Sequence, residues 1–460
     1  MSQEQVAKIL VELSRLSQEN ERLKEENAYL KFKLEEFNAK RYKSDKTPPP
    51  DQPAENPSVP KKPGGKFGHP GWFRKKPAKI DRVEDVCLER CPDCGSSDIT
   101  ACRNKKIDEH IQEDIILPKV EAVLYRHYEY YCKGCRKVIV GKGIGEMPNS
   151  YIGPKAKALA AFLRYGIKIS ERDVKNLFEK AFNLNIVHSS IAGFRDQLRR
   201  AGSPLYKALK ESLRQGSFVH ADETGWKVNG KNQWNWKFSN KKVCVTHIDR
   251  SRGQKVIEEF FGDQFLGVII SDFLSAYNKV KAKAKQRCLV HLLRDLKKVL
   301  RYWHDDQEVL LYVARLKKII EDAIELHKAY KDKPWDQAYR DKRGFIQECL
   351  KDFAFPNPNK RIIKRFANRL QRHKGELLTF LYEADIDYHN NHAEQQIRPD
   401  VIFRKITNGN RSPKGVECHN VVVSILQTAK LNRIDPIGTF ENILLHAKQY
   451  PLLNALSPPL

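Results

Sequence analysis

The chain has 460 residues, 40% apolar and 30% charged, which is enough to bury a core and too long for one compact domain. Lys and Arg total 83 against 57 Asp and Glu, a net charge of +26, so the expected partner is a polyanion, nucleic acid before an anionic membrane surface. Apolar runs are too short for a membrane span, residues 1–15 lack a secretory apolar core, and ten cysteines are too sparse for a disulfide scaffold; a cytoplasmic, nucleoid-associated protein is expected.

Val6, Ile9, Leu13, Leu16, Asn20, Leu23, Asn27, Leu30, Leu34 and Phe37 recur at alternating spacings of three and four. This is a heptad seam, with Asn20 and Asn27 at a positions, and it predicts a parallel coiled coil over 1–43 and hence a homodimer or higher oligomer. The flanking charges agree, since Glu19 and Lys24, and Glu26 and Lys31, would attract across the pair. Residues 44–85 form a Pro-rich linker and then a basic segment. Seven prolines between Ser44 and Gly65 favour an extended chain. Lys61, Lys62, Lys66, Arg74, Lys75 and Lys76 surround Gly68-His69-Pro70-Gly71-Trp72-Phe73 and are candidate phosphate contacts. Within 86–145, Cys91-x-x-Cys94 and Cys132-x-x-Cys135 supply four thiolates for one structural Zn²⁺. The strands expected between them, Ile111 to Leu117 and Val120 to Tyr131, make this a zinc ribbon.

Residues 146–215 read as helical, with Ala156–Tyr165, Glu171–Phe182 and Ser189–Leu213. A short turn before His188 fits either a helix-turn-helix or a plain bundle. Strands follow at Phe218–Thr224, Trp234–Phe238 and Lys242–His247, then a helix at Gln254–Phe261. The apolar run Leu266–Asp272 reads as a strand buried on both faces, and Arg287–Val290 as another. Asp222 and Asp272 end two of these strands. Antiparallel strands, a helix and then parallel strands predict a ribonuclease-H-like sheet over 216–292 and 386–432. Two carboxylates brought together on it repel unless a cation such as Mg²⁺ neutralises them. Residues 293–385 read as a helical, basic insertion, set against DNA or bracing the fold, and 433–460 as a C-terminal helical tail. On residues alone, Glu383, Asp385, Asp387, Glu394 and Glu417 are all candidates for a third acid.

His220-Ala-Asp-Glu-Thr224, Ser271-Asp-Phe273 with Tyr277, Cys288-Leu-Val-His291 and Asn390-Asn-His-Ala-Glu-Gln-Gln-Ile-Arg-Pro399 resemble the transposases of the insertion-sequence-66 family. So do Arg404-Lys405, Gly409, Ser424-Ile425, Thr428-Ala-Lys-Leu-Asn432 and Asp435-Pro436. The N-terminal heptads, Gly-His-Pro-Gly segment and zinc ribbon stand in that family's order. Gln395 departs from it, where the family commonly has Arg. The resemblance implies a multidomain α+β protein that binds the ends of an insertion element and catalyses metal-dependent DNA cleavage and strand transfer. It further implies Asp222, Asp272 and Glu394 as an Asp-Asp-Glu triad holding two Mg²⁺ (or Mn²⁺). Arg398, Arg404 and Lys405, with His220 and His291 behind them, become candidate phosphate contacts. The implied partners are element ends, target DNA and accessory transposition proteins, with no membrane. A non-catalytic DNA-binding regulator and a ribonuclease-H-like nuclease are the alternative functions.

Overall fold

A computed structural model describes residues 3–40, 97, 120–134, 137–140, 143, 145–147, 150–353 and 360–446. The chain divides into two compact units, 1–42 with 119–460, and 43–118; the architecture below is that of the first. The Pro-rich linker, the six basic residues from Lys61 to Lys76, and Cys91, Cys94 and Cys135 lie outside the described residues, as does the side chain of Cys132.

Helix α1, Gln3–Lys40, carries the heptads without interruption. Leu13, Leu16, Leu23, Leu30, Leu34 and Phe37 stay 46–59% exposed. The helix folds back on its own domain through other residues: Tyr29 and Phe32, both off the seam, are buried. Strands β1, Glu129–Cys132, and β2, Lys137–Val140, form an antiparallel hairpin with Cys132 opposite Lys137. The strand expected from Val120 thus begins only at Glu129.

Helices α2, Pro154–Phe162, α3, Glu171–Phe182, and α4, His188–Arg214, follow the expected periodicity closely. Ser170 caps α3 by accepting from Asp173 N, and a π-turn extends α2 over Leu163–Ile167. A five-stranded sheet comes next: β3, Phe218–Val228, β4, Lys231–Ser239, β5, Cys244–Asp249, β6, Phe265–Ser271, and β7, Ala282–Arg287, in the order β5-β4-β3-β6-β7. The first three strands pair antiparallel; β3–β6 and β6–β7 pair parallel. Helix α5, Gln254–Phe261, makes the crossover between β5 and β6, and its Phe260 stacks on Phe238 at 3.9 Å. The last strand lies earlier than Arg287–Val290. As an edge strand, Ala-Lys-Ala-Lys-Gln-Arg has no continuous apolar run, whereas Leu289, Leu292, Leu296 and Val299 have helical spacing and open the next helix.

That helix, α6, Leu289–Tyr302, starts the insertion, with α7, Gln307–Ala329, α8, Gln337–Asp352, and α9, Arg361–Arg372. Their apolar stripes make a core of their own around Leu292, Leu296, Leu316, Ile320, Phe366 and Leu370, continuous with Phe218, Val268 and Ile270 on one sheet face. Phe32 of α1 joins that core, 5.9 Å from Trp303. The chain returns to the sheet as α10, Asn391–Thr407, which lies against β3 and β4. Helix α11, Pro413–Leu431, is buried along most of its length against β5 and α4. Helix α12, Pro436–Leu445, packs on α2 and α4. Gly409 joins α10 to α11 at φ +94°, where a Cβ would strike the Lys227 carbonyl, so glycine is required on two counts.

Candidate active site

Strand β3 places Asp222. It pairs parallel with β6 through Phe218↔Val268, Val219↔Ile269 and His220↔Ile270. Two residues further along the same register, Asp222 comes level with Asp272 at the end of β6. Asp222 Oδ1 accepts from Glu223 N at 2.9 Å, and Asp272 Oδ1 accepts from Leu274 N at 2.8 Å. Asp222 is thereby held from within its strand, which runs on to Val228 rather than ending at the acid, and Asp272 by the turn that follows β6. Glu394 arrives from the first turn of α10, a position the helix dipole favours for an acid. Its Oε1 is buried without a hydrogen-bond donor, with His291 Nε2 3.7 Å away.

The electrostatics register this convergence. Burial first, and then the charges of Glu223, Asp272 and Glu394, raise the Asp222 carboxyl well above the ordinary range. A buried acid beside other acids, with a carboxylate oxygen lacking any donor, is a donor set suited to a hard divalent cation. Cys288, His291 and Glu394 also bring ligand atoms within 4.8 Å of one another, so the Glu394 end of the site has softer donors beside it.

Side chains alternate along β3, so Glu223 points to the face opposite Asp222. There Arg252 Nη2 donates to Glu223 Oε1 at 2.7 Å and Tyr277 OH donates to Oε2 at 3.3 Å. Burial and the nearby Asp272 push this carboxyl up to about 7 against the pull of Arg252. Arg252 in turn stacks on Trp234 at 4.3 Å. This fourth acid was not singled out from sequence. Its adjacency to Asp222 was visible, but its partners lie 29 and 54 residues away.

The start of α10 is fixed by Asn390. Its Nδ2 donates to the Ala221 carbonyl at 2.8 Å, its Oδ1 lies 3.1 Å from His220 Nδ1, and its backbone N–H points at Cys288 Sγ at 3.3 Å. His220 is 3% exposed, and burial pushes its imidazole down to about 3, so at neutral pH it is an uncharged partner of Asn390. Arg404 donates to Thr224 Oγ1 at 3.1 Å and to the Gly225 carbonyl, tying the far end of α10 to β3. Arg398 and Lys405 are exposed on the same helix. The rival acids are engaged elsewhere: Glu383 pairs with Lys283 at 2.7 Å, Asp385 with Lys241 at 2.9 Å and Glu417 with Arg199 at 2.9 Å, while the charge of Asp387 acts on His327. From the insertion, Arg369 stacks on Phe273, next to Asp272, at 3.6 Å.

The fold and site together define a mixed α+β body whose sheet carries a carboxylate-lined site closed by a helix. A profile described as "Transposase IS66 family" matches residues 149–418, a span that contains Asp222, Asp272 and Glu394. The chain belongs to the IS66 transposase family. It is also similar to an uncharacterized protein, y4qI, of Sinorhizobium fredii (strain NBRC 101917 / NGR234). The two are 23% identical over 418 residues, covering 81% of this chain and 74% of that protein. No described helix is long and apolar enough to cross a membrane.

Proposed function

We propose that this transposase binds the ends of an insertion element and catalyses metal-dependent cleavage and strand transfer on a ribonuclease-H-like core. The observation that supports the reading is that the charges of Asp272 and Glu394 both act on the buried Asp222, with all three inside the family-matched segment. These three would hold two divalent cations, Mg²⁺ or Mn²⁺. When bound, such ions supply the charge that activates the attacking oxygen and stabilises the leaving 3′ oxygen. The acids act as ligands, so the reaction proceeds by in-line attack, first of water and then of the freed 3′-OH on target DNA, with no protein–DNA bond. Asn390 and Arg404 hold α10 so that Glu394 stays at the site. Arg398, Lys405 and the basic segment at 61–76 contact phosphates. The exposed heptad seam of α1 pairs with a second copy, and Cys91, Cys94, Cys132 and Cys135 bind one structural Zn²⁺.

The test is Mg²⁺-dependent nicking and joining of element-end DNA by Asp222→Asn, Asp272→Asn and Glu394→Gln, with Glu383→Gln and Glu417→Gln as controls. Each triad variant is expected to lose both activities by at least ~10³-fold while end binding stays within about twofold, because affinity rests on Lys and Arg. Normal nicking by Glu394→Gln beside a dead control would move the third ligand elsewhere. Cutting without joining by the unaltered protein would favour a nuclease, and binding alone a regulator.

A further inference from the structure

Six residues after Glu394 on α10, Asp400 lies 2% exposed. Its Oδ2 accepts from Lys237 Nζ at 2.7 Å and from Asn235 Nδ2 at 2.9 Å, and its Oδ1 lies 3.4 Å from His419 Nε2. Lys237, fully buried on β4, also reaches Thr246 Oγ1 and Gln427 Oε1. Two full charges inside a core are costly, and such a pair is weak evidence for stability in itself; its best-attested use is to fix register. The register here is informative. Lys237 is the cross-strand partner of Asp222, so the two side chains share the face on which α10 lies.

We infer that the buried Lys237–Asp400 pair is a positioning device for the metal site, setting the height of α10, and with it Glu394, against the strand that carries Asp222. Three ties hold α10: Asn390 at its start, Asp400 in its middle and Arg404 at its end. The end ties go to β3 through neutral or backbone groups. The middle tie alone is an ion pair with no apolar substitute in another register: shifting α10 by one turn, ~5.4 Å, would strand both charges in the core. Ala393, Ile397 and Phe403 on the same face are apolar and would tolerate sliding far better.

This inference rests on the proposed divalent-cation site, and its test separates the two. The full chain is titrated with Mn²⁺ by electron paramagnetic resonance, unaltered and as Lys237→Met/Asp400→Leu, with thermal melting and element-end DNA binding alongside. Replacing both charges by apolar groups of similar size keeps the fold. The expected result is an unchanged melting temperature within a few degrees, unchanged DNA affinity, and Mn²⁺ affinity at the Asp222–Asp272–Glu394 site lowered by about 10- to 100-fold. The Mg²⁺ concentration for half-maximal nicking should rise in parallel. Unchanged Mn²⁺ affinity in a folded double variant overturns the positioning role while leaving the metal site standing. Absence of Mn²⁺ binding by the unaltered chain overturns the metal site and this inference with it. Should the double variant not fold, Asn235→Ala removes only the neutral partner and is expected to lower Mn²⁺ affinity several-fold; no change there also overturns the inference.

Discussion

The carboxylate of Glu376 joins the edge strand to the turn that follows α9. It lies 2.7 Å from Arg287 Nε and 2.8 Å from His373 Nδ1, with Lys285 at 3.6 Å. Burial would raise this carboxyl, but the His373 hydrogen bond and the Arg287 charge prevail and bring it down to about 2. Arg287, fully buried, then donates from Nη1 to the Asp272 backbone carbonyl at 2.8 Å. The effect of Glu376 therefore reaches the backbone of a proposed metal ligand. A carboxyl depressed in the folded state adds stability above its unfolded value, near 4.5, and that contribution disappears as pH falls through about 2. Glu376→Gln is expected to cost up to ~3 kcal/mol at pH 7 and to flatten the acid limb of stability below pH ~4.5. Urea melts of both proteins across that range check it; an acid limb of unchanged steepness would sink the assignment. Glu376 is not legible in the sequence, because its meaning comes from Arg287, 89 residues away.

Helix α1 presents two different faces. On one, Arg365 stacks on Phe32 at 5.1 Å and pairs with Glu36 at 2.5 Å, Arg361 stacks on Tyr29 at 4.0 Å, and Tyr302 donates to Glu35 at 2.7 Å. On the other, the heptad leucines remain exposed. The docking face and the seam are separable by substitution. Phe32→Ala is expected to lower the local opening free energy of residues 25–38 by about 3 kcal/mol while leaving the proposed dimer intact. Leu16→Glu with Leu23→Glu is expected to give a monomer whose α1 remains docked, since like charges would face each other across the seam. Hydrogen exchange and sedimentation of the full chain read the two effects. Loss of dimer in Phe32→Ala, or an intact dimer in the double leucine variant, would refute the division of faces. The seam was visible as a spacing. The dock was not, because Tyr29 and Phe32 make no pattern until α6 and α9 come beside them.

At the scale of the molecule, a net charge of +26 sets the relation to DNA. Affinity for element ends is expected to fall steeply between 50 and 200 mM salt, by roughly 10³-fold or more if six phosphates are engaged. The slope should be the same for the triad variants, because the acids contribute no phosphate contacts; filter binding over a salt series tests this. The four thiolates make a separate prediction. Cys132→Ser is expected to abolish stoichiometric zinc and weaken DNA binding, since structural zinc supplies folding energy. Metal analysis showing full zinc in that variant would reject the ligand set.

Local spacing was enough for the helices of 146–215, the crossover helix Gln254–Phe261, the strand ending near Asp272, and the heptads, because each signal lies within one element's period; the strand expected to end near Asp222 instead runs on to Val228, held by its pairing with β4. It also marked Glu394, though only a family resemblance raised it above Glu383 and Glu417. The edge strand at Ala282–Arg287 escaped because half its residues are charged, and the burial of Arg287 depends on Glu376, 89 residues away. Tertiary structure alone decided which acids meet. It turned Glu223 to the opposite face from Asp222 and engaged Glu383, Asp385 and Glu417 in ion pairs elsewhere. It also placed Asp400 opposite a buried lysine 163 residues away. One trace of that pair does stand in the sequence, an acid at the core position of the stripe Ala393, Ile397, Asp400, Phe403. An acid in an apolar stripe announces that a partner exists; which residue it is depends on long-range packing that no local period encodes.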